Sequence, residues 1–171
     1  MSRLSPSAPI MALVYEEGSD ADKVMAALAA HLTARGIRLA GFVQHEVART
    51  DRCRCDIILS ELASGVSIGI SQDRGAHARG CRLDVGELLR AMHLAREAVV
   101  TLPIDLVLVN KFGKTECEGG GLRPLIVDAL ERGRAVLCLS VDGQNTTGAT
   151  ALAGAHVAME LICLWCWGRR K

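Results

Sequence analysis

Aromatic residues are nearly missing from this sequence, which has two Trp, two Phe and one Tyr in 171 residues. Its core must be built from Ala, Leu, Val and Ile, which bury less area per side chain than rings do. Net charge is also close to nil, at +1. That removes the global electrostatic case for nucleic acid or for an anionic membrane surface. No apolar run reaches about eighteen residues, so no membrane span is expected. Met1 to Ile10 carries no basic region followed by a long apolar one, so no secretory leader is read there and a cytoplasmic location is expected. Internal repeats and low-complexity linkers are lacking too. One domain is the expectation, with an arm at 1–9, an α/β body at 10–164 and a tail at 165–171 that is aromatic and then basic.

What the chain does have is a long apolar run, Ile104 to Val109, that breaks into Asn110-Lys111-Phe112-Gly113-Lys114-Thr115-Glu116. A run without polar interruption suits a central parallel strand covered on both faces. Ligands of such sheets sit at the carboxyl ends of the strands. Asn110, Lys111, Lys114 and Glu116 therefore fall where an α/β protein places its chemistry.

Around this strand the pattern alternates. Ile10 to Tyr15 reads as a strand, Glu16 to Ser19 as a turn, and the next stretch to Arg35 as a helix with Val24, Leu28, Ala29 and Leu32 inward. Ser19 with Asp22 resembles a capping box, and Gly36 stops the helix. Arg38 to Val43 reads as a second strand leading into Gln44-His45-Glu46. Cys55 to Leu59 and Val66 to Ile70 suggest an antiparallel hairpin beside the main sheet. Asp84 caps a helix to about Val99, with Leu88, Leu89, Met92 and Ala95 facing the core. Leu122 to Arg132 is a further helix, with Pro124 in its first turn. Ala135 to Val141 is a buried strand, and a last helix is expected from about Ala149 to Leu164. Helices alternating with apolar strands give an α/β layered fold.

Two stretches point to an anion. Strand, glycine-containing turn and helix is the plan of a phosphate-binding loop, whose full form is G-x-x-x-x-G-K-[ST]. Gly18 and Lys23 are present, but the second glycine and the hydroxyl residue are not, and Asp20 and Asp22 add negative charge. Ser71 to Asp84 carries Arg74, Arg79 and Arg82 with Gly75 and Gly80. Arginine binds oxyanions bidentately and glycine lets backbone amides approach them, although a solvated arginine loop is the plainer alternative.

The cysteines number seven. In a chain read as not exported they are expected to be reduced thiols or metal ligands. Cys53 with Cys55, and Cys163 with Cys166, offer thiolate pairs, but apolar neighbours favour plain packing for the second pair. Cys81, between Gly80 and Arg82, is the best candidate for a reactive thiol. His45, His77 and His93 form no recognisable nucleophile–base spacing.

Taken together, Glu17-Gly18-Ser19, Gly41 to Val47, Asp56 to Leu59, Leu62 to Gly65, the arginine stretch and Asn110 to Glu116 resemble a bacterial family of unknown function described as nucleotide-binding. The likeness runs from Met11 to Gly154. More loosely, the chain resembles the small P-loop nucleoside-triphosphatases of archaea and animals. The resemblance implies a three-layer, mainly parallel P-loop-like sheet carrying the small antiparallel hairpin. In the triphosphatases the central strand ends Asp-Glu-Ile-Gly-Lys-Met-Glu, and the acidic pair would help hold Mg2+ and position water. Here that pair is Asn110-Lys111, so both halves of the family's Walker-type machinery are altered and magnesium-dependent hydrolysis is not implied. The family is also associated with molybdate-uptake gene neighbourhoods, which implies an oxyanion or molybdenum-related role.

The reading that results is a degenerate P-loop-like protein that binds a nucleotide or phosphate-type oxyanion, with weak or no hydrolysis. Gly18, Ser19 and Lys23 would face the phosphates. Arg74, Arg79, Lys111 and Lys114 would neutralise charge, Asn110 would hydrogen-bond, and Glu116 is the one candidate for a base. Nucleotide is the only cofactor-like ligand expected, and Mg2+ is not required. Two alternatives stand beside it: a molybdate-related metal or oxyanion carrier using Cys55, Cys81 and the arginines, and a ligand-free interaction module with a protein partner or a second copy of itself.

Overall fold

The computed structural model describes residues 10–15, 20–48, 55–72, 83–110, 116, 120–141 and 150–151. In chain order they form β1 (Ile10–Tyr15), α1 (Ala21–Ala34), β2 (Leu39–Val47), β3 (Asp56–Glu61), β4 (Ser67–Gly69), α2 (Val85–Thr101), β5 (Leu106–Val109), α3 (Arg123–Glu131), β6 (Ala135–Val141) and β7 (Thr150–Ala151). The strands make one seven-stranded sheet in the order β4-β3-β2-β5-β6-β1-β7. β2, β5, β6, β1 and β7 are parallel, and β3 and β4 add antiparallel strands beyond β2. The mainly parallel sheet and its hairpin are thus as expected. The hairpin is not beside the sheet, however, but continues it.

β5 is buried along its whole length, as its Leu-Val-Leu-Val run requires. Leu106 and Leu108 pack with Met25, Leu28, Ala29 and Leu32 of α1. Val107 and Val109 pack on the other face with Ala91, Ala95 and Val99 of α2 and Leu125 and Ala129 of α3. One helix, a sheet and two helices make three layers. Alanines on the inner face of α2 let that helix lie close to the sheet in a core so poor in rings. Phe42 is its one fully buried ring among the described residues.

Several expectations are corrected here. α1 begins after Asp20, which makes no side-chain capping bond, and the Ser19 half of the expected capping box lies outside the described residues. Met25 takes the inward place, and Val24 lies 37% exposed. Leu89 of α2 is 54% exposed because Ala91, Ala95, Ala98 and Val99 define the buried stripe. The last helix was expected from about Ala149 to Leu164; Thr150-Ala151 instead pairs in parallel with Met11-Ala12 of β1, and residues 152–164 lie outside the described residues. An open strand edge is satisfied by backbone partners, and that pairing overrides local helical preference.

β2 is longer than expected. Its first part, Leu39-Ala40-Gly41, pairs with Leu106-Val107-Leu108 of β5. From Phe42 onward it pairs antiparallel with β3, through Val47↔Asp56. The polar Gln44-His45-Glu46 segment is therefore strand that has left the parallel sheet, which apolar patterning cannot show. Gly41 marks the change of partner. Its φ is +91°, and a Cβ there would lie 2.0 Å from the Leu108 carbonyl oxygen. Its N–H donates to Oε1 of the buried Glu61 at 3.2 Å. The same carboxylate accepts from Ala63 N at 3.0 Å, Ser64 N at 2.7 Å and Ser64 Oγ at 2.8 Å. Glu61 thus ties the β3–β4 turn to the point where β2 diverges from β5.

Among the described residues, no helix is long and apolar enough to cross a membrane.

Candidate functional site

The carboxyl ends of β1 and β5 and the exit of β2 meet the first turn of α1. Asp22 enters from that turn. Its Oδ1 accepts from Asn110 Nδ2 at 3.0 Å, and its Oδ2 accepts from Gln44 Nε2 at 2.9 Å. The Gln44 backbone N–H donates to Asn110 Oδ1 at 3.2 Å. A backbone N–H can only donate, so the Asn110 oxygen must face it and the amide NH2 must face Asp22. The three residues form a closed polar network where β2 and β5 part. Gln44 and Asn110 are 5% and 2% exposed, so leaving their amides unpaired would be costly. Tyr15, at the end of β1, senses the same carboxylate. Burial first, and the Asp22 charge second, push the ionisation of its phenol up.

A groove of about 380 Å³ opens over this network, lined by Asp20, Asp22, Lys23, Ala26, Gln44, His45 and Glu46. Lys23 stands on its rim. Its Nζ pairs with Asp20 Oδ2 at 3.1 Å, with the two side chains 79% and 73% exposed. An ion pair so open to water is worth little, so Asp20 holds Lys23 only loosely. A second groove, of about 430 Å³, lies at the amino ends of β2 and β5 and is lined mainly by Ile37, Leu39, Leu62, Leu102, Pro103 and Ile104. It carries none of the expected site residues.

The expected residues are distributed as follows. Lys23 lines the groove, and Asn110 belongs to the buried network through Asp22 and Gln44. Glu116 does not line the groove. Its Oε1 accepts from Leu122 N at 3.2 Å at the start of α3. Its charge reaches the buried Cys138, whose thiol is pushed up to about 12, chiefly by burial and then by Glu116. Cys55 is exposed at the start of β3, and Cys138 is an inert buried thiol. Gly18, Ser19, Arg74, Arg79, Cys81, Lys111 and Lys114 lie outside the described residues. Among the described residues, no group of three His, Cys, Asp or Glu side chains is placed to hold a metal ion.

Sequence reasoning noted Asp22 as half of a capping box and as a charge unfavourable to phosphate, and Gln44 as the first polar residue past a strand. The available signal was position. Both are polar residues at the carboxyl side of the sheet, where backbone groups of a parting strand pair need partners.

Three comparisons with known proteins bear on this site. A family model described as "Protein of unknown function (DUF2478)" matches residues 10–158. The molybdenum import ATP-binding protein ModC 2 of Bradyrhizobium diazoefficiens is 32% identical over 128 residues, which is 75% of this chain and 14% of that protein. This chain therefore spans only a small part of the length of the curated relative it matches. The solution structure of a human cancer-related nucleoside triphosphatase superposes with a TM-score of 0.63 at 14% identity, covering 96% of this chain and 100% of the other. At that identity the likeness is one of fold.

Proposed function

This chain belongs to the DUF2478 family, and from that premise we propose that it is a P-loop-like module that binds a nucleotide or other phosphate-type oxyanion and hydrolyses it weakly or not at all. The observation that carries this reading is the state of Asn110. In the triphosphatases that the sequence resembles, the matching position is acidic and helps hold Mg2+. Here both ends of the Asn110 amide are occupied, one by Gln44 N–H and the other by Asp22. A neutral amide engaged in this way offers no charge to a metal and no base to a water. Glu116, the one candidate for a base, makes its bond with Leu122 N at the start of α3, outside the groove. Affinity for the anion falls to the cations: Lys23 on the rim, with Arg74, Arg79, Lys111 and Lys114 as the further positive groups, and Gly18 and Ser19 at the turn.

The test is direct. ATP binding is measured by calorimetry and phosphate release is followed in the same samples, with and without Mg2+. Binding that needs no Mg2+, with release no faster than in buffer, is expected. Lys111→Ala and Arg74→Ala should each weaken that binding about tenfold, the equivalent of about 1.4 kcal/mol. Sustained Mg2+-dependent turnover would overturn the reading, as would variants that bind every tested nucleotide and oxyanion as the wild type does.

The relative named as a molybdenum import ATP-binding protein favours a second reading, in which the ligand is molybdate and the protein handles that oxyanion in molybdenum metabolism. Titration with molybdate, and elemental analysis of protein prepared without chelator, separate it from the first. Protein that binds no molybdate and carries no molybdenum would exclude it.

A further inference from the structure

The most unusual feature of the groove is a negative charge held where an anion is to bind. Asp22 is seated by two side-chain amides, Asn110 Nδ2 at 3.0 Å on one oxygen and Gln44 Nε2 at 2.9 Å on the other. Those amides are themselves fixed. Asn110 is oriented by the Gln44 backbone N–H at 3.2 Å, and both residues are more than nine-tenths buried. The seat therefore presents two inward N–H donors and no charge of its own. One edge of a phosphate-type tetrahedron offers such donors the same pattern as a carboxylate does: two oxygens on one central atom sharing a negative charge.

We infer that the Asn110–Gln44 amide pair is an oxyanion subsite, and that Asp22 is an internal stand-in that occupies it until a ligand's oxyanion displaces it. This rests on the functional reading above and adds to it a specificity element and a latch. A second anion cannot share a neutral two-donor seat with a carboxylate, because like charges a few ångströms apart in a partly buried site repel strongly. Asp22 must swing out before the ligand enters. It lies in the first turn of α1 and is only half-buried, so it can turn toward the open groove without moving a strand. Neutral donors would serve an oxyanion at this point without a metal. They bind the oxyanion itself, while charge is neutralised at the rim.

The consequence is that removing the stand-in tightens binding. Dissociation constants are measured by calorimetry for ADP without Mg2+, for inorganic pyrophosphate and for molybdate, on the full chain. Asp22→Ala should bind at least one of them about tenfold or more tightly than wild type, since it both empties the seat and removes the repelling charge. Asp22→Asn, which is neutral but still fills space, should gain less. Adding Gln44→Ala to Asp22→Ala should erase the gain. Glu97→Gln removes a charge from the exposed face of α2 and should bind as wild type does. The three probes separate a nucleotide's phosphate from a free oxyanion.

If wild type binds and Asp22→Ala binds no tighter, the latch is wrong while the functional reading stands. If Asp22→Ala does not fold, as judged by its melting curve, Asp22→Asn decides in the same way. If no protein binds any of the three probes at millimolar concentration, the functional reading falls and this inference falls with it.

Discussion

Gly41 has no side chain because none fits. With φ at +91° and the Leu108 carbonyl oxygen 2.0 Å from where a Cβ would sit, any larger residue must move β5, which is buried along its whole length. The strain of a left-handed residue and that of overpacking each cost about 1–3 kcal/mol. Gly41→Ala should therefore lower the unfolding free energy by about 3 kcal/mol or more, read as a shift in the urea midpoint at constant slope. A loss below about 1 kcal/mol would mean that β2 can re-pair without the turn that Gly41 provides. The functional consequence lies three residues on. Gln44 reaches both Asn110 and Asp22 because β2 has already left β5 at Gly41. Asn110 itself was legible in the sequence, as a polar break after an apolar strand. Its partners were not, because Asp22 and Gln44 lie 88 and 66 residues away and only the fold brings them together.

Elements were legible to different degrees, for physical reasons that differ. β5, β6 and α3 follow from unbroken apolar runs and from Pro124 and Gly133 at the helix ends. β2 was cut short because its last residues, His45 to Val47, pair only with an antiparallel neighbour and are exposed, so they look like loop. α2 was placed well by its cap. Asp84 Oδ1 accepts from Glu87 N at 3.0 Å. The Glu87 N–H first, and the Gln72 side chain second, hold the Asp84 carboxyl below its ordinary 3.8. A carboxyl whose pKa is lower folded than unfolded stabilises the fold above the unfolded value, and that support is withdrawn as pH falls through the folded one. Asp84→Ala should therefore melt a few degrees lower than wild type at pH 7, and the difference should close as the pH is taken below 3.8. Melting curves that stay equally far apart through acid would show that the cap acts through packing rather than through its charge.

At the scale of the whole molecule, the parallel sheet and its three layers set a site at the carboxyl ends of the strands. The fold is like that of a nucleoside triphosphatase, and one carboxylate and two side-chain amides meet at those ends. Asn110 ends the central strand, and Asp22 meets it from the first turn of α1. Net charge and composition could not reveal this meeting, since neither says which residues the fold brings together. The account therefore makes its central claim about ligand without metal. It is tested most directly by thermal shift of the wild-type protein against ATP, ADP, inorganic phosphate and molybdate, each with and without Mg2+. A ligand that binds the native state must raise the melting temperature by mass action. The account predicts a rise with at least one of these ligands that is the same in the presence and absence of Mg2+. A rise that appears only with Mg2+, or no rise with any of them, would contradict it.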